Sequence, residues 1–115
     1  MKILDKLFGK TQKKEVVEHA VIIHFQYGKD KLDDLYKLRD KIEHLINTKE
    51  LGEYDGHEIA TDLSDGYLYM YGPNAEELFT GIKLELEETD FMKGAKAKLR
   101  FGPPEEGVKE IVVEI

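Results

Sequence analysis

Residues 15–28, EVVEHAVIIHFQYG, and residues 29–47, KDKLDDLYKLRDKIEHLIN, lie side by side but keep different apolar periods. In the first, alternation places Val17, Val21, Ile23 and Phe25 on one face and Glu18, Ala20, His24 and Gln26 on the other, with Ile22 on the wetter side. That is a strand with one buried face, expected over 16–27. Gly28 ends it. In the second, Leu32, Leu35, Leu38, Ile42, Leu45 and Ile46 recur at spacings of three and four, so a helix is expected over 30–47 with Asp30 as its N-cap.

The rest of the chain repeats the change of period. A polar stretch, TKELGEYDG (48–56), leads into HEIATDL (57–63), and SDG at 64–66 is the turn signal before YLYMYG (67–72). Two strands, 56–63 and 66–71, therefore form a hairpin. Pro73 and Asn74 announce a second helix over 74–88, with Leu78, Phe79, Ile82 and Leu86 as its apolar stripe and Glu77 placed to close a capping box with Asn74. Gly81 inside that helix costs about 1 kcal/mol relative to alanine. AKAKLRFG and VKEIVVEI alternate strictly, giving strands at 95–102 and 108–115 joined through GPPEEG, where two prolines fix φ.

The order is β-α-β-β-α-β with one more C-terminal strand. Right-handed crossovers and one buried sheet face lead to an α+β, ferredoxin-like sandwich, with two helices on one face of an antiparallel sheet in the order 5-4-1-3-2. Residues 16–115 make a single domain. Residues 1–15 read as a short amphipathic turn, carried by Ile3, Leu4, Leu7 and Phe8, followed by a linker.

The run GEYDGHEI…YLYMYGPNAEELF…LRFGPPEEGV resembles small uncharacterised bacterial proteins of ferredoxin-like type, through DGHE before the hairpin, YGP before the second helix and FGPP near the end. The resemblance spans residues 16–115. It implies the fold and carries no activity.

Composition narrows the function classes. The chain has 115 residues, 41% hydrophobic and 36% charged, which suits one folded domain. With no cysteine there is no disulfide, thiolate metal site or Cys nucleophile, as suits a cytoplasmic protein. A net charge of −7 argues against nucleic acid and anionic lipid as partners. Asp5 and Lys6 break the only N-terminal apolar run, and no stretch is long enough for a membrane span.

Asp55, His57 and Glu58 are the residues closest to a catalytic or metal constellation, because imidazole titrates near neutrality and carboxylates orient it. Strand parity sends His57 and Glu58 to opposite faces, so Asp55 and His57 alone could share a side. Two ligands are too few for a tight zinc site. The structural alternative makes Asp55-Gly56 a turn, with Tyr54 covering the end of the core and Glu58 on the hairpin rim. No phosphate loop, nucleophile elbow or other cofactor motif is present, so no cofactor is expected.

The sheet face turned away from the helices offers more. If Leu68 and Met70 face the core, then Tyr67, Tyr69 and Tyr71 stand in a row outside, joined by Ile22 and His24, with Lys96, Lys98 and Arg100 outward on the fourth strand. The plainer alternative has the rings resting on cationic stems while Glu110 and Glu114 pair with Lys98 and Arg100. Binding of nucleic acid, by stacking of bases on the rings, or of a small ligand on the same face is a further alternative, although the glycine-aromatic signature of base-stacking domains is missing. Tyrosine and arginine are enriched at recognition surfaces. The expected function is therefore a non-enzymatic binding or regulatory module, of inhibitor or immunity type or a homodimer, contacting another protein or a second copy through Tyr67, Tyr69, Tyr71, His24, Lys98 and Arg100. The alternative from another class is a small enzyme or metal-binding protein using Asp55 and His57.

Overall fold

The computed structural model describes residues 18–115. The expected amphipathic turn, its linker and the first two residues of the expected first strand lie outside the described residues. The elements are β1 His19–Gln26, α1 Asp33–Thr48, β2 Glu53–Ile59, β3 Asp65–Gly72, α2 Ala75–Glu87, a 3₁₀ turn Asp90–Met92, β4 Lys96–Arg100 and β5 Glu110–Glu114. They build one five-stranded sheet ordered β2-β3-β1-β4-β5. Every neighbouring pair is antiparallel, so the domain is of the α+β class with two helices. No helix among the described residues is long and apolar enough to cross a membrane.

One hydrophobic core holds the layers together. From the sheet it takes Val21, Ile23, Phe25, Leu68, Met70, Ala97 and Leu99, which are the alternate residues of β1, β3 and β4. From the helices it takes Leu35, Leu38, Ile42 and Ile46 of α1 and Leu78, Phe79, Ile82 and Leu86 of α2. Both helices therefore press on the same sheet face, and burial of these apolar surfaces is the main stabilising term. Phe91 and Met92 close one end of the core from the 3₁₀ turn. The sequence pattern had not singled out that turn.

Four local expectations need correction. Asp30 does not cap α1: the helix begins at Asp33, its N-cap position is Leu32 without a side-chain bond, and Asp33 and Asp34 supply negative charge in its first turn. The chain runs on past β1 because Tyr27 N–H donates to Ser64 O and Gly28 N–H to Leu63 O, each at 2.8 Å. Those bonds tie it to the hairpin loop before it can turn into a helix.

The hairpin turn lies earlier than SDG. Ala60 N–H donates to Asp65 O at 2.9 Å, and Asp62 Oδ1 accepts from Ser64 N–H and Ser64 Oγ, so ATDLS forms the loop. Leu63 takes its positive φ of 61°. Gly66 sits inside β3 for another reason: a Cβ there would stand 2.5 Å from Glu58 O and 3.0 Å from Phe25 Cζ. β2 begins at Glu53 instead of 56, with a bulge between Tyr54 and Gly56. Last, GPPEEG is part of a longer connection spanning 101–109, closed where Phe101 N–H donates to Lys109 O at 2.9 Å.

The second helix is capped by Asn74 as expected, but the capping box stays half-formed, since among the described residues no bond returns from Asn74 N–H to the Glu77 carboxylate. Asn74 Oδ1 accepts from Glu77 N–H at 3.0 Å, and His19 Nδ1 accepts from Ala75 N–H at 3.0 Å, so two side chains satisfy its free donors. Gly81 has a packing role. A Cβ at that position would collide with Leu51, whose side chain lies against the helix there.

Candidate functional site

Register between the strands sets the open face out as a grid with β1 at its centre. One row runs Glu53, Tyr71, Ala20, Arg100, Glu110. The middle row runs Gly56, Tyr69, Ile22, Lys98, Val112. The third runs Glu58, Tyr67, His24, Lys96, Glu114. Each tyrosine on β3 therefore has a cation on β4, with one β1 residue between them. This follows from period-2 alternation on strands whose other sides are committed to the core.

Three aromatic side chains of the face, His24, Tyr67 and Tyr69, form a continuous stack. The His24 and Tyr67 rings lie 4.6 Å apart at 24°, and those of Tyr67 and Tyr69 lie 6.1 Å apart at 20°. A carboxylate anchors each end. His24 Nε2 is 2.8 Å from Asp65 Oδ2, and Tyr69 Oη donates to Glu58 Oε1 at 2.7 Å. The Glu58 hydrogen bond, with some desolvation, pushes the Tyr69 phenol up to about 12, because losing the proton would set two anions in contact. Tyr67, 39% accessible, is the most exposed of the three face tyrosines, whereas Ala20, at the centre of the first row, is fully covered between Tyr71 and Arg100.

All six residues expected at the site lie on the open face, but they do not form one aromatic and basic patch. Arg100 is half-buried and its Nε donates to Gly102 O at 2.7 Å, which ties it to the β4–β5 connection. Lys98 stands opposite Val112, itself 61% accessible, so the pairing of Lys98 with a β5 glutamate that the plainer alternative required is not made. Lys96 takes that role instead, 3.9 Å from Glu114. The rings are bordered by carboxylates on the β2 side and by cations on the β4 side. Among the described residues, cation–ring contacts join Lys29 to Phe91, Arg39 to Tyr36 and Lys109 to Phe101, leaving the three face tyrosines out.

Sequence reasoning did not place Asp65 in the site, although it shares the parity of Tyr67. Its neighbours Ser64 and Gly66 made it look like part of a turn. Glu58 was placed on the rim without its bond to Tyr69. A cross-strand diagonal of this kind has no signature in one strand read alone.

Asp55 and His57 are separated by the bulge. Two residues, Asp55 and Gly56, occupy the space opposite Tyr69, so alternation slips by one and Tyr54 and His57 fall on the same, helix-side face. His57 pairs with core-facing Leu68, its ring is 6.2 Å from that of Tyr36, and its Nδ1 is 3.2 Å from Tyr54 Oη. Burial first, and the Arg39 charge second, hold its pKa below the usual value. Burial likewise pushes the Tyr54 phenol up to about 12. Among the described residues no three of His, Asp and Glu are grouped to hold a metal ion. Over the bulge lies a shallow open depression of about 340 Å³, with Asp55, Gly56, His57, Glu58, Tyr69 and Tyr71 on its walls.

Comparison of the chain with protein-family models, with curated proteins and with solved structures returns no match.

Proposed function

We propose that this chain is a non-enzymatic binding module of ferredoxin-like architecture, acting in the cytoplasm of a bacterium through protein–protein contact on its open sheet face. The observation that carries the reading is the anchored stack of His24, Tyr67 and Tyr69, held at both ends by Asp65 and Glu58. A side chain already fixed by hydrogen bonds loses little rotamer freedom when a partner covers it, so such a surface is prepared for contact. Tyrosine rings supply apolar area while their hydroxyls tolerate a wet rim. The strand order β2-β3-β1-β4-β5 supports the ferredoxin-like assignment, since it is the expected 5-4-1-3-2 order counted from the opposite edge.

Carboxylates beside the rings weigh against base stacking. A phosphate backbone crossing the tyrosines would meet Glu58, Asp65 and Glu53 before it reached Lys98. A catalytic or metal role for Asp55 and His57 has less support: both border the depression over the bulge, but the His57 ring lies toward Tyr36 and Tyr54, and among the described residues no third ligand joins them.

The test is the double substitution Tyr69→Ser with Tyr71→Ser, followed by sedimentation and by capture of partners from native extract. Loss of a wild-type partner or dimer by a variant that still folds is the expected result. Unchanged association would exclude the face.

A further inference from the structure

Resting on the reading of the open face as a contact surface, we propose that its occupant is a second copy of this chain, stacked face to face about a two-fold axis parallel to β1. The grid is complementary to itself under this rotation. A rotation about that axis exchanges the β3 and β4 columns, so each β3 tyrosine of one copy faces a β4 cation of the other. Tyr69 meets Lys98, and this pair occurs twice, while Tyr67 and Tyr71 come opposite Lys96 and Arg100, which Glu114 and Gly102 O already hold. Ile22, half-buried in the free chain, meets its own symmetry mate on the axis. None of the three face tyrosines has a cation–ring contact among the described residues. Tyr67 is stacked against both His24 and Tyr69, so the contact falls to Tyr69, where a cation on the side of the ring turned away from Tyr67 is favourable, and more so where water is excluded.

The alternative axis, perpendicular to the strands, sets β3 on β3 and β4 on β4. Lysines would then oppose lysines, so charge selects the first arrangement. Size is consistent with this. Five strands at about 4.8 Å spacing and about six residues at about 3.3 Å give a face of about 24 by 20 Å. Two such faces bury about 1,000 Å² together, the lower limit of a specific interface. The dimer is accordingly weak and reversible. At its rim Glu58 and Glu53 approach Glu114 and Glu110 of the other copy, and each copy carries a net charge of −7. Added salt screens both repulsions and strengthens association, whereas a nucleic-acid complex would weaken.

The experiment is sedimentation equilibrium of the full chain and of two variants, Tyr69→Lys and Lys98→Glu, alone and mixed. Alone, each variant sets unfavourable groups against each other twice, and its dimer should dissociate about tenfold more readily than wild type. In the mixture one native Tyr69–Lys98 contact survives and the two substituted side chains meet as opposite charges. Association should recover to within about threefold of wild type, a pairing only this register provides. Circular dichroism checks that each variant folds. A dimer indifferent to both substitutions, or one that both weaken without recovery on mixing, overturns the proposal. A monomeric wild type overturns it too. The underlying reading of the face is judged separately: if the monomer's heterologous partner is lost with Tyr69→Ser and Tyr71→Ser, that reading stands without the second copy, and if nothing is lost, both fall.

Discussion

Glu58 stands opposite Tyr67 in the β2–β3 register, yet its carboxylate accepts the hydroxyl proton of the diagonal neighbour, Tyr69, at 2.7 Å. The bulge just before Glu58 loosens the ladder where this reach begins. One result is a fixed ring at the centre of the open face. Another is a phenol that keeps its proton well into alkali.

That proton gives a direct prediction. In the folded chain Tyr69 titrates near 12 instead of 10, first because of Glu58. A raised pKa means that the folded state holds a proton the unfolded state releases, so stability is complete below about 10 and falls as pH rises through about 12. Glu58→Gln should bring the Tyr69 phenolate transition back toward 10, as read from the ultraviolet difference between each protein and its Tyr69→Phe counterpart. Tyr54, raised to about 12 by burial, should not move. An unshifted Tyr69 in Glu58→Gln would mean that the hydrogen bond is not formed in solution.

His57 predicts the opposite dependence at the acid end. Burial lowers its folded pKa below 6.5, so just under that pH the unfolded chain binds a proton that the folded chain refuses. Stability should decline as pH drops below 6.5, with His57 contributing part of the slope. In His57→Gln, urea midpoints measured from about pH 7 down to about pH 5 should fall less steeply than in wild type. Equal slopes would place His57 in water, away from Tyr54 and Tyr36.

Gly81 should defy helix propensity. Alanine in place of glycine within a helix is normally favourable by about 1 kcal/mol. Here the added methyl would stand 2.4 Å from Leu51 Cδ1, the end of a half-buried side chain, so Leu51 must shift and the usual gain should be largely cancelled, leaving Gly81→Ala within about 1 kcal/mol of wild type. Adding Leu51→Ala to Gly81→Ala should cost less than the sum of the two single changes, because the collision is then removed. Denaturant melts of the four proteins decide it, and strict additivity would contradict the contact.

Much of this was legible in the chain. Alternation across Val21, Ile23 and Phe25, and across Leu68 and Met70, is enough to put the tyrosines outside, since a strand with one buried face has no freedom of register. Asn74 identified its helix start because a short polar side chain before an apolar stripe has few other uses. The failures share a cause. Asp30, Asp65-Gly66 and Asp55-Gly56 all carry turn chemistry, but tertiary contacts decided which of them turned. Gly66 is required by the close approach of Phe25 and Glu58 O, and Gly28 is held by a bond to Leu63, far away in sequence. The bulge at Asp55 was equally hidden, and with it the exchange of Asp55 for Tyr54 as the neighbour of His57.

The most direct measurement is the accessibility of the Tyr67, Tyr69 and Tyr71 rings to a soluble paramagnetic probe, followed by ring-proton relaxation as the protein is concentrated. If a second copy covers the open face, these rings lose accessibility as dimer forms, while Tyr36, on the helix side, keeps its own. Relaxation of the three rings that stays constant at every concentration, in a sample that sedimentation shows to be associating, would contradict the account.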